Sequence, residues 1–255
     1  MVPVMGLILT AAMAACAPPE LPPGIPPLSL EYEFVDGELG WEAGFAEYSP
    51  GMEDIMELEA EIRPLPPELE IAGNGYYLQG MNRSDDLFMF LKHRLSDEDG
   101  VIPGQEYRIH YEIVFASNAP SGAVGIGGPP GEAVYLKAGA TPTEPEVYLD
   151  SEIDYYVMNV DKGAGNSGSG EAASVTGHIA NGLPAEDVDL SDPPYVSLVR
   201  QHEHDYIITS SPEGELWLLV GTDSGFEGLT GIYYQRIAVT LQPVEAYGDP
   251  DSPAP

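Results

Sequence analysis

The chain has 255 residues, with 42 Asp and Glu against 9 Lys and Arg, for a formal net charge of −33 at pH 7. Phosphate backbones and anionic lipid headgroups repel a surface of that sign, which excludes nucleic acid as a partner. A hydrophobic content of 43% is globular rather than disordered, and a chain of this size buries enough surface to fold without disulfides or a metal.

Charged residues are only 20% of the chain, so scarce bases matter as much as abundant acids. Such a balance suits a halophilic protein, kept soluble in concentrated salt that screens its charges within about 3 Å at 1 M.

Residues 1–15 carry no charge and are almost wholly apolar or small. That is shorter than the roughly 20 residues needed to span a bilayer. It matches the apolar core and small-residue cleavage site of a signal peptide. The single cysteine, Cys16, follows Met13-Ala14-Ala15 and precedes Ala17-Pro18-Pro19. This resembles a bacterial lipobox, which implies acylation of Cys16, export, and anchorage in the cell envelope at the outer membrane, periplasm or cell surface. An ordinary signal peptide with an incidental cysteine is the alternative. Pro18 to Pro27, "PPELPPGIPP", supports neither helix nor sheet. Residues 16–28 thus read as a tether.

From residue 29 to 246 the period is two, the mark of half-buried strands, and the segment reads as a single domain. "LSLEYEFV" begins it at Leu28. Met52 to Ile62, "MEDIMELEAEI", is the best helical candidate or else an irregular strand. "YYLQGMN" and "EYRIHYEIVFAS" are strands, and between them lies "GMNRSDDLFMFLKHRL". There Asp85 and Asp86 open into Leu87-Phe88-Met89-Phe90-Leu91, a run apolar on both faces that predicts a strand over 87–95 buried from both sides. "YVSLVRQ", "DYIITSS", "ELWLLVGT" and "IYYQRIAVTL" follow, divided by Gly- and Pro-rich turns. Residues 247–255 are polar, Pro-rich and expected to be disordered. The fold class is therefore all-β, an antiparallel two-sheet β-sandwich with long Gly/Pro-rich loops and little helix.

"FVDGELGWEAGFAEYSPG", "GMNRSDDLFMFLKHRL", "FASNAPSGAVGIGGPPGEAVYLKAGA", "MNVDKGAGNSGSG" and "LWLLVGTDSGFEGLTGIYYQRIAV" together resemble a family of secreted bacterial lipoproteins of uncharacterised function. The opening strand leading to "GW" and the closing "YYQRIAV" also resemble the galactose-binding-like jelly rolls of carbohydrate-binding modules. That likeness implies a jelly-roll sandwich, with a glycan as ligand and Ca²⁺ as cofactor to be considered. An acidic residue that such modules use near the last strand for Ca²⁺ is here Gln235.

A carboxylate at the edge of a core must be hydrogen-bonded, paired or metal-bound. The only lysines are Lys92, Lys137 and Lys162, so each base has a raised prior of neutralising a particular acid. The Asp85–Asp86 pair is read as paired with Arg83 or a lysine, as a Ca²⁺ site with Asp161, or as a ligand or catalytic group. Asn82, Asn118, Asn159, Asp161 and Lys162 also stand at strand ends, and Lys137 on a returning strand. These residues and the Asp pair define one candidate ligand site at an end of the sandwich; separate solvated turns are the competing reading.

Other motifs carry less. Gly125, Gly127, Gly128 and Gly131 precede a strand rather than a helix, so they form no phosphate cradle. His202 and His204 share a strand face without an evident third metal ligand. "GTDSGF" superficially resembles a serine-protease nucleophile loop, but only 46 positions separate Ser224 from His178. It reads as a turn in which Asp223 and Ser224 bond nearby backbone. Trp41 and Trp217 are expected in the core or at its rim.

The function expected is a non-catalytic exported lipoprotein binding a neutral or cationic ligand, glycan included. The alternatives are a polysaccharide hydrolase using Asp85, Asp86 and Asp161, and a structural envelope lipoprotein without a small ligand.

Overall fold

The computed structural model describes residues 24–83 and 86–245. Residues 1–15, Cys16, most of the tether, Asp85 and the 247–255 tail lie outside the described residues. Among those described, no helix is long and apolar enough to cross a membrane.

Among the described residues fourteen strands follow one another. They are β1 (Leu28–Glu33), β2 (Glu42–Ala46), β3 (Glu59–Pro64), β4 (Asn74–Met81), β5 (Phe88–Leu95), β6 (Glu106–Ser117) and β7 (Val134–Thr141). After them come β8 (Val147–Asp150), β9 (Tyr155–Met158), β10 (Ser174–His178), β11 (Val196–Glu203), β12 (Ile208–Thr209), β13 (Leu216–Ser224) and β14 (Leu229–Pro243). They build an antiparallel jelly-roll sandwich. A seven-stranded sheet runs β11-β6-β14-β4-β3, with β1 on β14 and β12 on β6. A five-stranded sheet runs β10-β7-β13-β5-β2, and β8-β9 form a separate hairpin.

The two-residue period explains the layers. Along β6, Tyr107, Ile109, Tyr111, Ile113 and Phe115 enter the main core while the residues between them face out. Strand β14 is long enough to pair β4 along its first part, β1 along its second and β6 on its other side. A register shift between Tyr234 and Arg236 kinks it midway.

Strand β5 departs from simple alternation because both faces of its sheet are covered. Leu87, Met89 and Leu91 join the main core between the sheets. Phe88 and Phe90 face outward, where they stack on each other and pack with Leu219, Val147, Met158, Val160, Ala172 and Ala173. The cover is the β8–β9 hairpin and the segment after it. Full burial of such a side chain stabilises by about 1.5–3 kcal/mol, which is why the strand reads as a continuous apolar run.

One open reading is resolved and one expectation changes. Of the two courses open to residues 52–62 the strand forms rather than the helix: a single 3₁₀ turn at Glu53–Ile55 gives way to β3. Glu57 adopts a positive φ of 50°, which ends any helical course, and β4 supplies the pairing instead. "DYIITSS" contributes only the two paired residues of β12. Trp41 is buried, edge-on to Tyr32 and stacked on His93 at 5.2 Å; Trp217 is partly buried beneath the Lys92 ammonium.

Candidate functional site

Asp86 meets the sandwich where β5 begins, beside two carboxylates that come from elsewhere in the chain. Glu47 follows β2, Asp223 lies near the end of β13, and one oxygen from each of the three lies within 4.8 Å of the others. The register explains the meeting: Phe88 pairs with both Ala46 and Asp223. Asp223 shares the outer face of its sheet with Leu219 and, across the ladder, with Lys137.

Both partner cations are lysines. Lys162 Nζ lies 2.6 Å from Asp223 Oδ2 and 2.7 Å from Glu47 Oε2. Lys137 Nζ lies 2.7 Å from the same Asp223 oxygen, and both side chains are 0% exposed. Lys137 also donates to the carbonyl oxygens of Lys162 at 2.9 Å and Gly165 at 3.3 Å. All three donors of its ammonium are therefore engaged. Asn166 Nδ2 donates to Asp86 Oδ1 at 2.9 Å. The cluster thus fastens the segment after β9 onto the outer face of the five-stranded sheet.

Electrostatics divide the acids. Burial, and then the nearby Asp223 and Glu47, push Asp86 up to about 9, so it is protonated at neutral pH. Two ammonium groups then face the carboxylates of Asp223 and Glu47, and the buried cluster is near neutral. Burial lowers Lys137, against the pull of Asp223. Burial opposes the charge of Lys162 too, but Asp223 and Glu47 outweigh it and hold that ammonium above its usual range.

Three converging carboxylates are the donor type for a hard cation. Here the Lys162 ammonium stands among them at hydrogen-bond distance from two. The set fits an internal ammonium, and fits Ca²⁺ only with Lys162 withdrawn. Asp161 is not among these ligands: its two oxygens accept from the backbone N–H of Gly163 at 2.9 Å and Glu171 at 3.2 Å.

The remaining site residues separate. Asn82 is buried and donates to the Ser224 carbonyl at 2.8 Å, next to the cluster. Asn159 lies past the end of β9, accepting from Glu146 N at 2.8 Å and donating to Glu144 O at 2.9 Å, so it closes the β8–β9 hairpin. Asn118 follows β6 and lines a different cavity. The fold therefore gathers Asp86, Lys137 and Lys162, sets Asn82 beside them, and leaves Asn118, Asn159 and Asp161 in other roles.

Glu47 and Asp223 carry the cluster and escaped sequence reasoning. Asp223 is no turn residue: it lies inside β13, fully buried, because the hairpin cover extends over that end of the strand. Its alternation with Leu219 and Gly221 was the available signal. Glu47 sits at a positive φ of 69°, and nothing in its neighbours marks it. His202 and His204 converge on Ser174 rather than on a metal ligand set: His202 Nε2 and His204 Nδ1 each lie 2.7 Å from Ser174 Oγ. His204 Nε2 donates to the Glu171 carbonyl, so its Nδ1 accepts from the serine.

The exposed face of the seven-stranded sheet has the opposite character. A depression of about 430 Å³ is lined by His110, Glu112, Gln201, Glu203, Ala238 and Thr240. Ala238 pairs with Glu112 across the ladder and gives the depression its low floor. A second hollow of about 340 Å³ holds Asn74, Ser197, Gln235 and Arg236. Arg236 bridges the two, with Nη1 2.7 Å from Glu31 and Nη2 on Glu112. Gln201 Nε2 donates to Glu112 at 3.0 Å, and Ser197 Oγ donates to Gln235 Oε1 at 2.6 Å. The Gln201 and Arg236 hydrogen bonds hold the Glu112 carboxyl below its usual range. Beside this network Tyr77, Tyr195 and Tyr233 pack together, with the Arg63 guanidinium 3.9 Å above Tyr77.

No protein-family model and no curated protein matches the chain. Solved structures share similarity with it. One is that of TmCBM61 in complex with β-1,4-galactotriose: 9% identity, 81% of this chain and 92% of that one, TM-score 0.35. Another is a putative sugar binding protein from Bacteroides thetaiotaomicron: 10% identity, 80% and 88% coverage, TM-score 0.34. A third is TmCBM27, a carbohydrate-binding module with specific mannan recognition: 8% identity, 86% and 99% coverage, TM-score 0.32. Similarity of this degree assigns neither ligand nor site. By its own strand order and layers, the chain is an all-β jelly-roll sandwich protein.

Proposed function

We propose that the protein is a non-catalytic exported lipoprotein whose sandwich binds a neutral glycan on the exposed face of the seven-stranded sheet. The observation that carries this reading is the Glu31–Arg236–Glu112–Gln201 network. Sugar hydroxyls both donate and accept, and they are held best by groups fixed before the ligand arrives. Here carboxylates, an amide and a guanidinium fix one another across neighbouring strands, at the edge of a shallow hollow. The net charge of −33 disfavours acidic polysaccharides. Acylation at Cys16 would tether this face at the cell envelope. The hydrolase alternative gains no support, because Asp86 is engaged in the buried lysine cluster and Asp161 in backbone hydrogen bonds.

An array of neutral and uronic-acid glycans tests the ligand class. Binding is expected among neutral oligosaccharides, and Gln201→Ala should weaken it by about tenfold, the loss of one hydrogen bond to a charged group. A blank array, or hits that ignore Gln201→Ala, would remove the reading. Cell fractionation tests the anchor: Cys16→Ser should move the protein from the membrane to the soluble fraction.

A further inference from the structure

A second cavity, unrelated to the polar face, opens at the end of the sandwich where β6 and β11 meet the start of β14. Its volume is about 430 Å³, within the range of small-molecule sites. Ile179, Phe226, Pro130, Ala119 and Ala123 make apolar walls, and among the described residues none of its lining side chains is ionisable. The mouth carries Val124, 97% exposed, with Leu190 and Leu229 also exposed.

Three polar side chains, Thr230, Asn118 and Ser191, interrupt this surface, and the Ser191 hydroxyl is already donated to Asp189 Oδ1 at 2.7 Å. Thr230 is 5% exposed and lies on the same side of β14 as Ile232, a main-core residue, so it faces the gap between the sheets. Its Oγ1 is buried and has no hydrogen-bond partner among the described residues. Leaving a buried hydroxyl unsatisfied is destabilising, a penalty that a ligand hydrogen bond would relieve. Asn118, also on the cavity wall, adds an amide donor and acceptor.

We infer that this cavity is a binding site for a small uncharged amphipathic molecule, with an apolar body against Ile179 and Phe226 and a hydroxyl or carbonyl end at Thr230 and Asn118. Charge selects against ions of either sign: an ion here would lose its hydration with no counter-charge in the lining. The ligand differs in class from the glycan proposed for the exposed sheet face, and the two sites stand or fall separately.

Methyl-labelled full-length protein, titrated with benzyl alcohol, toluene and benzoate, provides the test. Benzyl alcohol should shift the Ile179, Ala123 and Leu229 methyl resonances saturably, toluene should do so more weakly, and benzoate should not. Thr230→Val keeps the shape, removes the unpartnered hydroxyl and should leave the melting temperature unchanged or raised. It should weaken benzyl alcohol about fivefold to tenfold, the range of one neutral hydrogen bond, while leaving toluene unchanged. Ala123→Phe, which fills the cavity, should abolish both. No shift with benzyl alcohol, equal shifts with benzoate, or an unchanged benzyl alcohol affinity in Thr230→Val would each overturn the assignment.

Discussion

Two charged networks built from the same chemistry lie on opposite layers of this sandwich. In one, Lys137 and Lys162 meet Asp223, Glu47 and Asp86 beneath a loop; in the other, Arg236 meets Glu31 and Glu112 on a partly exposed sheet face. Burial decides what each can do. Out of water, every donor needs a fixed acceptor, one acid is driven to its neutral form, and the result is a clasp. In water the same pairings are screened and contribute little to stability, but their groups stay accessible to a ligand. Strong contacts therefore mark the structural site here, and weaker ones the candidate binding face.

The largest effect separating the two regions should come from Asp223→Ala. It leaves two lysines without their shared carboxylate, and breaking such a buried set costs about 3–5 kcal/mol. Urea denaturation should show that loss, whereas Glu112→Gln on the open face should hardly move the midpoint. Comparable midpoints for the two variants would erase the distinction.

A smaller effect should appear with pH. Asp86 is raised in the folded protein, so its contribution is full below the unfolded carboxylate range near 3.8 and is lost as pH climbs toward about 9. Unfolding midpoints measured from pH 5 to 9 should fall more steeply for the native chain than for Asp86→Asn. The histidines at Ser174 act in the other direction. Burial lowers both His202 and His204, so their contribution is present above the unfolded value near 6.5 and fades as pH falls below it. Replacing both with Gln should flatten the acid limb; an unaltered limb would place its origin elsewhere. The smallest and most diffuse response should come from salt. With so few bases to offset its acids, the protein should gain melting temperature as NaCl rises from 0.1 to 2 M, and a flat profile would argue against a halophilic design.

Much of the fold was legible because its signals are local. A period-two run marked β6, and the apolar stretch from Leu87 marked a strand covered on both sides. Strand β3 was ambiguous because its Glu-rich segment has no apolar face strong enough to choose a period, and pairing with β4 decided it. The site was legible only in part. Lysine scarcity suggested only that each base would neutralise some particular acid, without saying which, and Lys137 and Lys162 lie against Asp223 and Glu47; Asp86 stood out against its apolar run. Their meeting point required Asp223 and Glu47, which long-range strand register brings in and no local spacing announces. The open face was harder still. Glu31, Glu112, Gln201 and Arg236 are each ordinary outward residues, and only the sheet makes them neighbours.

Calorimetric titration of the full chain with a panel of neutral oligosaccharides, repeated with Gln201→Ala and with Asn159→Ala at the distant hairpin, tests the central claim most directly. The account predicts saturable binding that Gln201→Ala weakens about tenfold and Asn159→Ala leaves intact. Binding that depends on Asn159 and ignores Gln201, or no heat with any neutral sugar, would contradict it.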